Sequence, residues 1–375
     1  MGVRRFLDVE RLSGLSLLLA ALGALAWANS PWAATYEAVW SFPVGPWFGH
    51  AVRFWINEAL MAIFFLVVGL EIRRELTVGH LADRQRASLP LLAALGGMVV
   101  PAVLFWAVNA GAPTTRGWGI PMVTDIAFAA SVFGLLGRRA RGSARVVLLA
   151  LAVIDDVGAI IVIALFYSAG VNLIGCVLAG VALAAALALR RFAVRSPWAY
   201  LPVGGLLWVG AYVMGVHPTI AGVTLGLLMP GDAGDRLERA LQPWVAFVIM
   251  PLFALANAGV SIVANLAAPA GARLLAGVVI GLVLGKPIGI LCFSWLGVRA
   301  GLARLPAGVR WADVLVVGAV AGIGFTMSLF IAGLAFPSGP ALALAKLGIV
   351  CGSTLAAGVG LGLGRWLSAA PSNDQ

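Results

Sequence analysis

Apolar positions in this chain fall in long unbroken runs, not in the strict alternation or single-face periodicity of soluble strands and helices. The runs recur between short polar stretches carrying Arg, Pro and Gly, and about 20 apolar residues are what a helix needs to cross the hydrocarbon core of a bilayer. Twelve spans are predicted, beginning near Ser13, Phe54, Leu89, Trp118, Val146, Leu173, Trp198, Val216, Trp244, Leu274, Ala312 and Leu342. The stretch from Trp32 to Trp47 holds Pro and aromatic residues without a full span, which predicts an interfacial loop or a short hairpin. The expected fold class is an all-α polytopic membrane protein, one integral membrane domain over residues 1–375.

Composition sharpens this reading. The 375 residues are 62% hydrophobic and 11% charged, whereas soluble domains carry about a quarter of their residues as charges. The 47 glycines and 13 tryptophans agree, since Gly is frequent in transmembrane helices and Trp gathers at the membrane interface. No sizeable soluble domain fits between the spans, so any chemistry sits inside the bundle. The three cysteines, Cys176, Cys292 and Cys351, lie in separate apolar segments without metal-ligand spacing and read as ordinary core residues. The first apolar stretch follows Arg4, Arg5 and Arg11 as a signal peptide would, but it lacks a clear small-residue cleavage site and reads as a retained helix.

The net charge of +10 forms no continuous stripe that would address nucleic acid; it follows topology instead. Assigned to alternate sides, 20 of the 25 Lys and Arg fall together: Arg4, Arg5, Arg11, Arg73, Arg74, Arg84, Arg86, Arg138, Arg139, Arg141, Arg145, Arg190, Arg191, Arg195, Arg236, Arg239, Arg299, Arg304, Arg310 and Arg365. Only Arg53, Arg116 and Arg273 fall opposite, and Lys286 and Lys346 lie within apolar segments. The positive-inside rule then places both termini in the cytoplasm, which an even number of spans satisfies.

Two spans are interrupted. Gly119 to Asp125 puts Gly, Pro, Thr and Asp in mid-span, and Ala321 to Thr326 puts Gly322, Gly324 and Thr326 in the span seven places later. Paired interruptions in the two halves of a transporter point to discontinuous helices crossing at a midplane ion site. Irregular backbone at that depth is tolerated only where protein or a water-filled cavity satisfies the freed groups.

Four charges lie where lipid-facing sequence would carry none: Asp125, Asp155, Asp156 and Lys286. Each mid-span charge costs about 2.5 to 3.5 kcal/mol, hence roughly 10 to 14 kcal/mol for all four if left unpaired. Adjacent helix positions point about 100° apart, so Asp155 and Asp156 cannot face one small site identically. One can bind an ion while the other meets a partner, and Lys286 is the obvious partner. The pair is open to two readings, a lock between two helices or a charge that changes during a cycle in which a proton and a small cation compete for the same oxygens. Asp125, beside Thr124 in the first interruption, is equally open to offsetting half-helix dipoles or to direct coordination.

At the end of the second span, Glu71 and Glu75 share a helical face with Arg74, near Arg73, while Glu58 lies near the span's start. This cluster reads either as solvated ion pairs or, with Glu238, as a titrating surface that gates the site. His217, beside Pro218, opens a span; packing or capping is the plainer role, and a histidine also suits pH sensing.

These residues carry a resemblance. Pro121 to Ala129 (PMVTDIAFA), Val153 to Ile160 (VIDDVGAI), Val68 to Leu76 (VGLEIRREL), Pro251 to Gly259 (PLFALANAG) and Gly285-Lys286-Pro287 together resemble the bacterial NhaA Na+/H+ antiporter family, from the second span to the last. The resemblance implies inverted repeats with two discontinuous crossing helices, as that family exemplifies. It implies electrogenic exchange at the inner membrane, protons entering and Na+ or Li+ leaving, without a cofactor and without enzymatic chemistry, in the service of cytoplasmic pH and Na+. By position it implies Asp156 as the principal carboxylate for the transported Na+, Asp155 as its proton-carrying neighbour paired with Lys286, Thr124 with Asp125 at the crossing, and Gly322 to Gly324 opposite. A pH-responsive face maps onto Glu71, Arg74, Glu75 and Glu238. The chain departs from the pattern at Glu58, where Asp is common, and at Arg239 and Gln242, where some members carry His. Expected partners are membrane lipid, a small cation and, in a homodimer, a second copy.

An intramembrane aspartyl protease would also bury two acids, but on different helices and with a Gly-x-Gly-Asp element that is absent here. A proton-coupled transporter of an organic solute is the nearer rival, and a passive channel suits a buried Lys beside two acids less well.

Overall fold

The computed structural model describes residues 3–44, 49–137, 142–168, 170, 172–262 and 271–369. Arg138, Arg139 and Arg141 of the positive set lie outside the described residues, as do both chain ends. The chain opens with α1 (Val3–Ala28) and α2 (Ala33–Ser41). A small ladder follows in which β1 (Pro43–Val44) runs antiparallel to β2 (His50–Ala51), with Pro43 opposite Ala51 and Val44 opposite His50. The region expected as a loop or hairpin is thus a short helix followed by one strand of this ladder, with residues 45–48 outside the described residues.

The remaining elements are helical: α3 (Val52–Thr77), α4 (Arg84–Val108), a 3-10 segment (Pro113–Met122) leading into α5 (Ile126–Gly134), α6 (Gly142–Phe166), α7 (Leu173–Arg191), α8 (Tyr200–Met214), α9 (Thr219–Leu228), α10 (Gly231–Asn257), α11 (Ala272–Arg299), α12 (Trp311–Ala321), α13 (Phe325–Ala335) and α14 (Pro340–Ala369). Side-chain caps set several starts. Asp83 accepts from Gln85 N–H at 2.9 Å ahead of α4, and Asn172 accepts from Ile174 N–H at 2.9 Å ahead of α7. Gly215, at φ 90°, stops α8 in the left-handed conformation that only Gly adopts at little cost.

Among the described residues seven helices are long and apolar enough to span a bilayer, and three bent pairs bring the number to ten. The two further spans expected near Trp198 and Val216 are α8 and α9, of 15 and 10 residues. At 1.5 Å per residue they reach only about 22 and 15 Å, short of a hydrocarbon core about 30 Å thick.

Two compact units divide the chain. The first comprises Met1–Leu19, Asp83–Ala159 and Val260–Gln375. Its central contact is α4 against α11, where a Cβ on Gly96 would strike the Gly289 carbonyl and a Cβ on Gly289 the Gly96 carbonyl. Close backbone approach through small residues is how helices associate in lipid, where burial of apolar surface gives little drive. Further along α11, a Cβ on Gly285 would come within 2.8 Å of Pro101 Cα of α4, and one on Gly318 of α12 within 2.8 Å of Pro287 Cα. Pro287 has no N–H to give the preceding turn, and α11 widens to a π-helical turn over Gly281–Gly285, directly before Lys286.

The second unit comprises Ala20–Ala82 and Ile160–Gly259. Here α9 crosses α3 just as closely, a Cβ on Gly226 falling 2.7 Å from the Leu66 carbonyl. Leu66, Leu70, Tyr200, Leu225, Met229 and Leu237 form the core beside that crossing.

Candidate functional site

Both interruptions are real breaks in the chain and both lie in the first unit. Val123 and Asp125 adopt extended backbone between the 3-10 segment and α5, which are bent by 47°. Gly322 to Gly324 separate α12 from α13, bent by 48°. The two breaks are stitched together. Asp125 N–H donates to the Ile323 carbonyl at 2.7 Å, and Ser328 Oγ donates to the Ile120 carbonyl at 2.7 Å.

Asp125 serves two helix N-termini at once. Its Oδ1 accepts from Phe128 N–H of α5 at 3.0 Å, while its Oδ2 accepts from Thr326 N–H of α13 at 3.1 Å and also from the Thr326 hydroxyl. The first amides of a helix lack intrahelical acceptors and carry a partial positive charge, so one buried carboxylate offsets both ends. Asp125 is 1% exposed, and both of its carboxylate oxygens accept from these donors.

Thr124 faces the opposite kind of end. Its Oγ1 lies 2.8 Å from the carbonyl of Ala321, the last residue of α12, and 2.7 Å from Asp155 Oδ2. Lys286 Nζ donates to the same Oγ1 at 2.9 Å and forms a close ion pair with Asp155 Oδ2. An ammonium beside the carbonyl end of a half-helix opposes its partial negative charge. Asp155, Lys286 and Thr124 are each 0% exposed and Asp156 is 2% exposed, so no bulk water screens these charges. Asp155 Oδ1, also buried, accepts no hydrogen bond among the described residues. Asp156, one position along α6, lies within electrostatic reach of Lys286.

The arrangement thus concentrates carboxylate, hydroxyl and carbonyl oxygens around one ammonium in a dry setting. Oxygens of these types suit a hard monovalent cation, and half-helix carbonyl ends with unwound backbone are where transporters hold Na+. They equally suit protons, because neighbouring like charges cannot all stay ionised.

In the second unit the residues expected to respond to pH divide. Arg74 pairs with Glu238 at 2.7 Å, and Arg73 pairs with Asp235 at 3.0 Å and donates to the Met229 carbonyl at 3.1 Å, tying the end of α3 to the start of α10. Glu75 folds back over Gly79 instead, and Glu71 lies on the same helix. His217 Nδ1 stands 3.5 Å from Glu58 Oε2, bringing the start of α9 to the start of α3.

Three participants escape a reading of the sequence: the Ala321 carbonyl, Asp235 and Ser353 of α14, whose Oγ accepts from Phe325 N–H at 3.1 Å. Asp235 was within reach of inspection, since it sits three residues before Glu238 on one face of a helix. A backbone carbonyl and one Ser among many carry no such signal.

A multi-pass helical bundle with two broken helices crossing over buried, paired charges defines a membrane transporter, not an enzyme. The family model described as Na+/H+ antiporter 1 matches residues 4–363. A protein of Sorangium cellulosum named Na(+)/H(+) antiporter NhaA 2 is 49% identical, over 97% of this chain and 89% of its own length. Another of Acidovorax sp., named Na(+)/H(+) antiporter NhaA, is 50% identical over 97% of this chain and 91% of its own. The chain belongs to the NhaA Na+/H+ antiporter family.

Proposed function

We propose that the protein exports Na+, and Li+ in its place, in exchange for protons entering the cell, by alternating access to the site at Asp155 and Asp156. The observation that carries this reading is the fully buried Asp155–Lys286 ion pair held by Thr124 at the carbonyl end of α12. Asp156 is the principal cation ligand, and Asp155 releases or takes its proton as the ion pair with Lys286 breaks or forms. Asp125 acts as the shared cap of α5 and α13. Two carboxylates and an ammonium offer more than one proton-binding position against a single cation, which supports electrogenic exchange. The activity would set cytoplasmic pH and Na+.

Sidedness follows from the charge count, with both termini cytoplasmic and the protein in the bacterial inner membrane. Contacts within the second unit support it: Arg236 donates to the Arg195 carbonyl at 3.0 Å, and Arg73 and Arg74 meet Asp235 and Glu238, so arginines assigned to one side gather at one place. Glu71, Arg74, Glu75 and Glu238 form the pH-responsive face of that side. A homodimer belongs to the same proposal on the family resemblance, with light scattering as its check.

Proteoliposomes preloaded with protons test the function. Added Na+ or Li+ should drive proton flux and generate a membrane potential, while K+ and neutral solutes should not. Flux driven by an organic solute alone would replace this reading with the solute transporter.

A further inference from the structure

Asp125 cannot satisfy the whole N-terminus of α13. It takes Thr326 N–H, but the preceding amide, Phe325 N–H, points to another acceptor, Ser353 Oγ of α14 at 3.1 Å. Ser353 is 3% exposed, so no bulk water is available to replace it. The surrounding packing makes α14 the wall behind the break. A Cβ on Gly352 would lie 3.0 Å from Leu282 Cδ1 in the widened turn of α11 that precedes Lys286. Ala356 Cβ, one turn on, would stand 3.1 Å from a Cβ placed on Gly322. Consecutive turns of one continuous helix therefore touch the π-helical turn below Lys286, the first amide of α13, and the break itself.

We infer that Ser353 is a positioning residue for cation binding: its hydroxyl holds Phe325 N–H so that the Asp125 carboxylate remains divided between α5 and α13. This inference rests on the proposed cation site and extends it to a third element. Without the hydroxyl, the buried Phe325 N–H loses its acceptor at the positive end of a helix, and Asp125 is the carboxylate that already accepts from the next amide, Thr326 N–H. Turning toward it draws the Asp125 carboxylate away from its present alignment on Phe128 N–H and Thr326 N–H. That movement shifts the extended backbone that also carries Thr124, whose hydroxyl touches Asp155 and Lys286. The effect falls on how well a cation is held, not on the groups that hold it.

The test measures Na+-driven proton flux in proteoliposomes for the wild type, Ser353→Ala, Ser353→Thr and Ser353→Cys. Ser353→Ala should raise the half-saturating Na+ concentration about five-fold, the size of one buried hydrogen bond, with maximal flux within about two-fold of wild type. Ser353→Thr, which keeps the hydroxyl, should restore the wild-type value. Ser353→Cys, close in size but a weaker acceptor, should show a raised value even if the alanine variant does not fold. An unchanged half-saturating concentration in the Ala and Cys variants, or a threonine variant that behaves like alanine, would overturn the inference. Absence of Na+-driven flux in the wild type would instead overturn the antiport reading on which it rests.

Discussion

Asp155 and Asp156 are neighbours in α6, and the proposed mechanism gives them different work. Asp155 is tied to Lys286 and Thr124, so its charge is balanced inside the protein. Under the proposed mechanism, replacing Asp156 by Asn keeps the shape but removes the charge proposed to bind a cation and the titration proposed to release it. Asp156→Asn should therefore fold and be as stable as wild type while Na+-driven proton flux in proteoliposomes falls to background. Lys286→Ala should instead lower stability by about 3 to 5 kcal/mol in a thermal or denaturant melt, because it leaves the Asp155 carboxylate buried without its partner. Adding Asp155→Asn to that variant should recover part of the loss, and strictly additive losses would dissolve the pairing. These residues were legible in the sequence because a charge in an apolar run is costly and conspicuous. The Ala321 carbonyl and Ser353 were not, since hydroxyls and carbonyls are common in spanning helices, and Thr326 was legible as part of a break but not as a partner of Asp125. The Ala321 carbonyl and Thr326 gain their roles only when the two breaks bring residues some two hundred positions apart into contact, and Ser353 gains its role by meeting Phe325 across 28 positions.

Helices in this protein meet through glycine, so the same substitution has opposite signs at different places. Gly96→Ala should destabilise by about 1 to 3 kcal/mol, since its Cβ meets the Gly289 carbonyl, backbone that cannot swing aside. Gly180→Ala in α7, where a Cβ meets nothing within 4 Å, should leave stability unchanged or raise it by about 0.5 to 1 kcal/mol through reduced freedom of the unfolded chain. Melting temperatures of the two variants in one detergent decide this, and equal losses would contradict the packing described. At this scale the chain announced its breaks through Gly, Pro, Thr and Asp in mid-span. It concealed the shortness of α8 and α9, because hydropathy reports apolar composition and not where Gly215 and Pro218 stop and restart the backbone.

For the whole molecule, regulation and ion binding are expected to be separable. Arg74–Glu238 and Arg73–Asp235 join the ends of α3 and α10, with Arg74 and Asp235 half-exposed, and water limits what each pair contributes to the balance between conformations. Glu238→Gln should move the pH midpoint of exchange while maximal flux at favourable pH is kept, as read from flux against pH in proteoliposomes. Positions 239 and 242 are Arg and Gln, so imidazole titration there plays no part. A profile unmoved by neutralising Glu71, Glu75 and Glu238 together, but shifted by His217→Ala, would transfer the role to the His217–Glu58 contact.

In the proposed mechanism Na+ and protons compete for the same buried carboxylates. Isothermal titration of the purified protein with Na+ across a pH series, repeated in buffers of different ionisation enthalpy, tests it most directly. A protonated carboxylate cannot hold a cation, so the apparent Na+ affinity should fall as pH falls, by up to about ten-fold per pH unit for each proton displaced, with protons released on binding. Na+ binding of constant affinity across the series, with no proton release, would contradict the account.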